Sequence, residues 1–202
     1  MVKITDDELR TLRGPNQIFY EWKTYLQFAQ VYFMVLGITT PIVVEIGTQA
    51  GRQKAHYQRF LDAEHIGIDI SDQFSMPDIL GDSHAPETMA KLTEMLDGRA
   101  INLLFIDAFH TYQDALAEYE AYGSITSDII AFHDIRHVKD IGRLWGDLQA
   151  QEKGNTSKTF MTIGAWGDGW CELGIGMIVK HDKNELRKIT EEFRNVYRKN
   201  QS

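Results

Sequence analysis

The sequence is poor in cysteine and proline, and it has no long run of hydrophobic residues. Its 202 residues include one cysteine, Cys171, so an internal disulfide is excluded. The four prolines do not cluster into a linker between two domains. The apolar stretch Val31–Ile38 is far too short to span a bilayer, which needs about 20 residues. The segment Met1–Arg13 is polar and unlike a signal peptide, so we expect a cytoplasmic protein without membrane contact.

Basic residues are also fewer than acidic ones. The chain has 21 Lys and Arg against 29 Asp and Glu, which gives a formal charge of −8. This balance argues against a broad nucleic-acid surface, which would need clustered Lys and Arg. A nucleotide-like ligand remains compatible with it, because helix N-termini and backbone amides can hold such a ligand locally. The hydrophobic fraction of 43% is typical of a globular protein.

Apolar patterns along the chain predict alternating helices and strands. An amphipathic helix is predicted over Ile18–Leu36. Short apolar strands then follow at Ile42–Ile46, His65–Ile70, Asp78–Leu80, Ile101–Ile106 and Ile129–Phe132. Helical patterns are centred on residues 49–61, 86–97, 112–119 and 138–151. Two late strands, Lys158–Ile163 and Ile175–Lys180, have no helix between them, and a last helix follows.

This order predicts an α/β fold with a doubly wound, mostly parallel seven-stranded sheet. Nearly continuous apolar strands indicate a sheet covered by helices on both faces. The two late strands predict an antiparallel pair at one edge. We expect one globular unit, with residues 1–40 as an N-terminal helical extension and residues 41–202 as the α/β domain.

Glycine and acidic residues follow the first two strands, where ligands of such sheets bind. Gly47 and Gly51 allow a tight turn and close approach of a ligand. Asp69 stands where a carboxylate can accept hydrogen bonds from both ribose hydroxyls of a nucleoside. A dinucleotide fingerprint would have glycine in place of Gln49 and Arg52, which disfavours a nicotinamide oxidoreductase.

Further polar residues follow the other three strands. After the third strand, Asp82 either accepts from an adenine amino group or caps the next helix. After the fourth and fifth strands stand Asp107, His110, His133 and Asp134. Because these two strands are neighbours in the predicted order, we expect the four side chains to share one rim.

Two carboxylates and an imidazole are suited to a divalent cation, and a second imidazole to accepting a proton. The alternative is that these groups only cap helices. The remaining histidines have no such neighbours and are expected at the surface or as caps: His56, His65, His84, His137 and His181.

Five segments carry a resemblance to a known family. Val43–Gly51 resembles the first motif of class I S-adenosylmethionine-dependent methyltransferases, and Gly67–Ile70 resembles the second. Gly81–His84, Leu103–Asp107 with His110–Tyr112, and Ile129–Ile135 resemble the small branch related to macrolide-sugar O-methyltransferases and cephalosporin hydroxylase-like proteins. The resemblance does not cover the first forty residues or the Trp-rich loop, Gly164–Trp170.

The resemblance implies a Rossmann-like fold, S-adenosylmethionine as cofactor and, as in metal-dependent members, Mg²⁺ or another divalent cation. It implies cofactor contacts from Glu45, Gly47, Thr48, Gly51, Asp69, Asp82, Ser83 and Asp107. It implies metal ligation by Asp107, His133 and Asp134, and catalysis by His110 together with Asp107.

The sequence departs from the family pattern at two places. Ala108-Phe109 stands where many relatives carry Gly-Asp, and His133 stands where the best-understood metal-dependent members carry a carboxylate. Both changes remove negative charge, so they bear on the metal more than on the cofactor. We expect O-methylation of a small-molecule hydroxyl.

Other interpretations stay open. A catalytically silent S-adenosylmethionine-binding module and a metal-dependent hydrolase are the alternatives, although such hydrolases set their His-Asp pair on helices. A homo-oligomer also stays open. The loop Gly164–Trp170 is interpreted either as a lid over the acceptor or as an edge of the core or of an oligomer interface.

Overall fold

The computed structural model describes residues 4–5, 7–9, 20–164, 166–167, 170–171, 173–181 and 183–199. The predicted start of the first helix at Ile18, residues 165, 168 and 169 of the Trp-rich loop, and Asp182 lie outside the described residues. The described chain alternates strands and helices as the apolar patterns predict.

The helices are α1 (Tyr20–Leu36), α2 (Arg52–Leu61), α3 (Pro86–Leu96), α4 (Tyr112–Gly123), α5 (Lys139–Gln151) and α6 (Lys183–Lys199). The strands are β1 (Ile42–Ile46), β2 (Glu64–Asp69), β3 (Ile79–Leu80), β4 (Ile101–Ile106), β5 (Thr126–Phe132), β6 (Thr159–Ile163), β7 (Trp166–Gly167), β8 (Trp170–Cys171) and β9 (Ile175–Val179).

Seven strands form one sheet in the order β3-β2-β1-β4-β5-β9-β6. β1 to β5 are parallel, whereas β9 runs antiparallel to both β5 and β6. The predicted doubly wound, Rossmann-like sheet with its antiparallel edge pair is therefore confirmed. The short strands β7 and β8 pair with each other inside the Trp-rich loop and form a separate ladder.

Helices cover both faces of the sheet, because its strands carry apolar side chains on both sides. Val44, Leu104, Ile130 and Ile178 lie side by side across four strands and face α3, α4 and α5. The alternate strand residues, such as Val43 and Phe105, face α1, α2 and α6. Each strand residue thus enters one of two cores, as parallel sheets covered on both sides require.

Helix α1 is buried on most of its surface. Five of its residues are buried and pack in the core on their side of the sheet: Trp22, Tyr25, Leu26, Ala29 and Phe33. Trp22 and Tyr25 are therefore packing residues of this core. In the part of the chain that the structure describes, every helix is too short or too polar to cross a membrane.

Helix α2 begins three residues later than predicted. Gln49 and Gly51 have positive φ values of 46° and 63°, so the helix starts only at Arg52. Left-handed backbone interrupts a right-handed helix, and the apolar pattern alone does not reveal it. The turn between β1 and α2 is therefore longer than predicted and lies at the edge of the sheet.

Backbone hydrogen bonds continue for one residue beyond the parallel strands. The amide of Gly47 donates to Ile68 O at 2.8 Å, and that of Asp107 donates to Ile46 O at 2.9 Å. The amide of His133 donates to Ile106 O at 3.1 Å. These bonds hold the residues after β1, β4 and β5 in one row along the carboxyl edge of the sheet.

Candidate active site

A cavity of about 720 Å³ opens at the carboxyl edge of the parallel strands. This volume lies within the range of pockets that enclose small molecules. Seven of the predicted site residues line it: Gly47, Asp69, Ser83, Asp107, His110, His133 and Asp134. Several lining residues were not singled out as site residues from the sequence, among them Gln49, Arg52, Gln53, Ile70, Ser71, Phe74 and Phe109.

The turn after β1 depends on Gly47. Its φ is +88°, and a Cβ atom placed on it would lie 2.3 Å from the backbone oxygen of Asp107. A side chain is therefore excluded by both the backbone conformation and the neighbouring strand. Gly51 closes the same turn, with its amide donating to Thr48 O at 2.7 Å, and it lies outside the cavity lining.

The Asp69 carboxylate joins this turn to the end of β2. One oxygen accepts from the Gln49 amide at 2.7 Å, and the other accepts from the Ser71 amide at 2.9 Å. The Asp69 side chain also lines the cavity. It is thus held in a defined orientation beside the glycine turn, where a bound molecule can reach its remaining lone pairs.

Glu45 and Thr48 lie in the core behind the turn, at 0% and 3% exposure. The Glu45 carboxylate is 2.8 Å from Nε2 of His65. The side-chain cofactor contacts implied for Glu45 and Thr48 are therefore not provided at the cavity surface. Strand alternation explains the difference, because Glu45 faces the opposite side of the sheet from Ile46, which lines the cavity.

The expectation that His56 and His65 lie at the surface is wrong. His56 is 0% exposed and stacks against Phe60 at 6.2 Å between ring centroids. His65 is 7% exposed and stacks on Tyr57 at 5.5 Å while it contacts Glu45. An imidazole can be buried when a carboxylate partner is present, and that partner lies on a neighbouring strand.

Asp82 and Ser83 form a polar turn beside the cavity. The Asp82 carboxylate accepts from the His84 amide at 2.9 Å, and this backbone hydrogen bond is the main cause that lowers its pKa. The N-cap of α3 is Ala85, so the proposed helix-capping role of Asp82 is not observed. Ser83 lines the cavity, but its hydroxyl donates to Glu118 at 2.7 Å.

Glu118 is a functional candidate that the sequence analysis missed. It lies on α4 at 0% exposure, and burial raises its pKa to about 7. It is also in helical register with the buried Ala115 and Tyr122. An acidic residue on the apolar stripe of a helix was the signal that could have identified it.

The residues after β4 and β5 meet on one wall of the cavity. Nε2 of His110 is 2.9 Å from Asp134 and 3.9 Å from Asp107. One ligand atom from each of these three residues lies within 4.8 Å of the others, as a metal ion would require. Asp134 has a φ of +58°, a conformation that Asp tolerates better than most residues.

His133 is oriented differently from the implied metal ligand. Its Nδ1 is 3.1 Å from Asp107, and its Nε2 points away from the cavity towards Glu21 at 3.6 Å. The cluster that could hold a metal therefore consists of Asp107, Asp134 and His110. His133 contacts Asp107 but does not belong to this cluster. The reason is that both ring nitrogens of His133 already face carboxylates.

The ionisable groups on this wall perturb one another. Burial raises the pKa of the Asp107 carboxyl above its ordinary value. Burial alone would lower the pKa of His133, but the contacts with Asp107 and Glu21 outweigh it and raise that pKa to about 10. The hydrogen bond to Asp134 raises the pKa of His110. Strong mutual perturbation in a cleft is typical of functional sites.

No protein-family model matches the chain, and no curated protein matches it. Solved structures match its fold. MycE methyltransferase from the mycinamycin biosynthetic pathway, in complex with Mg, SAH and mycinamycin VI, superposes with a TM-score of 0.60 at 14% identity. The match covers 89% of this chain and 55% of MycE, so the chain spans about half the length of that protein.

Two further structures match over most of their own length. The O-methyltransferase TomG from Streptomyces achromogenes, involved in tomaymycin synthesis and in complex with SAM, has a TM-score of 0.53 at 14% identity. That match covers 87% of this chain and 95% of TomG. The O-methyltransferase from Bacillus cereus in complex with SAH has a TM-score of 0.52 at 14% identity, over 87% and 96% of the two chains.

Proposed function

We propose that this chain is an S-adenosylmethionine-dependent O-methyltransferase that acts on a hydroxyl group of a small molecule. One observation carries the proposal. A single cavity is lined both by the glycine turn after β1, with Asp69 beside it, and by the group Asp107, His110 and Asp134. The three similar folds, whose names describe methyltransferases with bound SAM or SAH, support the same activity.

The cofactor half of the proposal rests on Gly47 and Asp69. A ribose that approaches the glycine turn meets a carboxylate already oriented by two backbone amides. Charged hydrogen bonds of this kind contribute about 1.5–3 kcal/mol each. Ile70 and Phe109 are exposed side chains on the cavity wall and offer apolar surface to a flat ring. S-adenosylmethionine supplies an electrophilic methyl group bound to sulfur.

The catalytic half rests on His110. A hydroxyl acceptor must lose its proton as the methyl group is transferred, and an imidazole is suited to accept it. Asp134 holds Nε2 of His110 at 2.9 Å and stabilises the imidazolium that forms. Because Nε2–H donates to Asp134, we assign acceptance of the hydroxyl proton to Nδ1 of His110, with the cavity holding the acceptor oxygen in line with the methyl group.

The same wall fits a divalent cation. Oδ1 of Asp134 is buried and accepts no hydrogen bond within the described part of the chain, and Asp107 and His110 lie within ligand distance. Carboxylates with an imidazole suit Mn²⁺, Fe²⁺ or Zn²⁺ as well as Mg²⁺. A cation held there would lower the pKa of the acceptor hydroxyl. His110 would then be a ligand in place of a base, which makes the two roles experimentally separable.

The second candidate is a module that binds the cofactor without catalysis. The observation that favours it is Phe109, which is 39% exposed on the cavity wall where many relatives carry a carboxylate. Methyl transfer to any true acceptor decides between the two functions.

The cofactor claim is tested by calorimetry with S-adenosylhomocysteine. We expect the wild-type protein to bind it and Asp69→Ala to abolish measurable binding. Asp72→Ala is the matched control, because this nearby exposed carboxylate lies outside the cavity lining. Equal affinity of the Asp69→Ala and Asp72→Ala variants would remove Asp69 from the cofactor site.

The catalytic claim is tested with labelled S-adenosylmethionine and a panel of hydroxylated sugars, phenols, polyketides and amino-acid derivatives. We expect His110→Ala to reduce turnover about 100-fold or more while cofactor affinity is kept. Activity that survives a chelator assigns His110 as the base, and activity restored by Mn²⁺ after chelation assigns it as a ligand. Turnover unchanged in His110→Ala would refute both roles.

A further inference from the structure

Helix α1 contributes a buried acidic residue to the back of the candidate site. Glu21 is 1% exposed, on a helix that the family resemblance leaves uncovered. It is in helical register with the buried Tyr25 and Phe28. A buried carboxylate is costly unless it has polar partners, so its partners indicate why an acid stands there.

The two carboxylate oxygens of Glu21 contact two different segments. Oε2 accepts a hydrogen bond from the Gly174 amide at 3.1 Å, just before β9. Oε1 lies 3.6 Å from Nε2 of His133. His133 in turn places Nδ1 3.1 Å from Asp107, which lines the cavity. A chain of three ionisable side chains thus runs from α1 to the cavity wall.

Aromatic side chains confine the middle member of this chain. The His133 ring lies 5.9 Å from the Trp22 ring and 5.9 Å from the Phe105 ring, measured between centroids. The rings confine the imidazole, Nδ1 is hydrogen-bonded to Asp107, and Nε2 faces Glu21 as an ion pair at 3.6 Å, beyond hydrogen-bond distance. Removal of Glu21 therefore leaves His133 packed, with a carboxylate facing only one of its two nitrogens.

We propose that Glu21 is a positioning residue of the site, which orients Asp107 towards the cavity by holding His133 from behind. The proposal rests on the proposed function only for what Asp107 does, because the contacts themselves are independent of it. Outer partners that orient a ligand side chain typically change metal affinity by 10–100-fold when they are removed.

The direct test observes the His133 ring by nitrogen-edited NMR. An imidazole N–H is visible only when a hydrogen bond protects it from exchange with water. We expect a protected Nδ1–H signal of His133 in the wild-type protein, assigned with His133→Gln, and its loss in Glu21→Ala. Glu21→Gln keeps the volume and one acceptor oxygen, so it should stay folded and show an intermediate loss of protection.

The matched control is Gln30→Ala on the same helix. This change removes the hydrogen bond from Gln30 to Phe60 O, 2.8 Å long, without touching the site. We expect the His133 signal to be unchanged in this control. A wild-type signal in both Glu21 variants, or the same loss in Gln30→Ala, would overturn the proposal, since Glu21 would then act only on packing.

A second measurement uses Mn²⁺ and S-adenosylhomocysteine as separate probes in calorimetry. We expect Glu21→Ala to weaken Mn²⁺ binding about tenfold or more and to leave S-adenosylhomocysteine affinity within about twofold. Unchanged Mn²⁺ affinity in the variant would overturn the role at Asp107. If the wild-type protein bound neither probe, the proposed function would fail, and the His133 signal would still decide whether Glu21 positions the ring.

Discussion

Substitution of Gly47 by alanine tests the geometry on which the whole cavity depends. The added Cβ would lie 2.3 Å from Asp107 O and 2.7 Å from Ala108 Cα, and both are backbone atoms. Such contacts cannot be relieved by rotation of a side chain, so the β1 and β4 ends must separate. In the alanine variant, the positive φ lowers the free energy of unfolding by about 1–2 kcal/mol, and overpacking lowers it by about 1–3 kcal/mol more.

The matched control is Gly98→Ala. Gly98 has a similar φ of +76°, but a Cβ there would meet no atom within 4 Å. The loss of stability in Gly98→Ala therefore comes only from the positive φ. It is reduced by about 0.4–1 kcal/mol because alanine also restricts the unfolded chain. We expect a net loss of roughly 1 kcal/mol for Gly98→Ala and roughly 2–4 kcal/mol for Gly47→Ala.

Urea unfolding of the two variants and the wild-type protein measures the difference, with equal m-values required for the comparison. Calorimetry with S-adenosylhomocysteine then shows whether the displaced turn still binds. We expect weaker binding in Gly47→Ala and wild-type binding in Gly98→Ala. Equal stability of the two alanine variants would refute the steric argument, and wild-type affinity in Gly47→Ala would separate the turn from the cofactor site.

Two further predictions concern buried and strained acidic residues. Burial raises the pKa of Glu118 to about 7, so the folded state binds its proton more tightly than the unfolded chain, whose ordinary value is 4.5. The tighter proton binding adds roughly 3 kcal/mol to the free energy of unfolding. This stabilisation is fully present below about pH 4.5 and is lost as pH rises through about 7. In urea unfolding, Glu118→Gln should therefore gain stability relative to the wild-type protein between pH 5 and pH 8, and a constant difference would contradict the assignment. Asp134 has a φ of +58°, and asparagine tolerates this left-handed backbone better than alanine does, so Asp134→Ala should lower the free energy of unfolding by about 1–2 kcal/mol more than Asp134→Asn. Both variants should lose Mn²⁺ affinity in calorimetry. Equal stability of the two variants would show that the strain is absent.

Much of the fold could be predicted from local patterns. Short β-branched strands, such as Ile42–Ile46 and Ile129–Phe132, indicate a parallel sheet buried on both faces. Helix α3 begins at Pro86, the first residue of the helical pattern predicted over residues 86–97, because a proline in the first turn loses no hydrogen bond. The boundaries failed where left-handed residues such as Gln49 delay a helix, because periodicity does not report φ.

The candidate site was predictable only in part. Residues at the end of a strand or directly after it, such as Asp69 and Asp107, have positions that the strand order dictates. Glu118 and Glu21 escaped prediction because each lies on a helix and becomes significant only through a distant partner. The division at residues 40 and 41, the cytoplasmic location and the homo-oligomer stay predictions.

The length and order of the strands, which the amino-acid pattern reveals, place these residues at the carboxyl edge of the sheet. The direction in which their side chains point depends on the tertiary structure. It turned His133 towards Glu21 and brought His110 to Asp134, and it buried Glu45 behind the turn. The physical reason is that pairing energies between ionisable groups depend on distances across the fold, whereas periodicity reports only on which side of the backbone a residue lies.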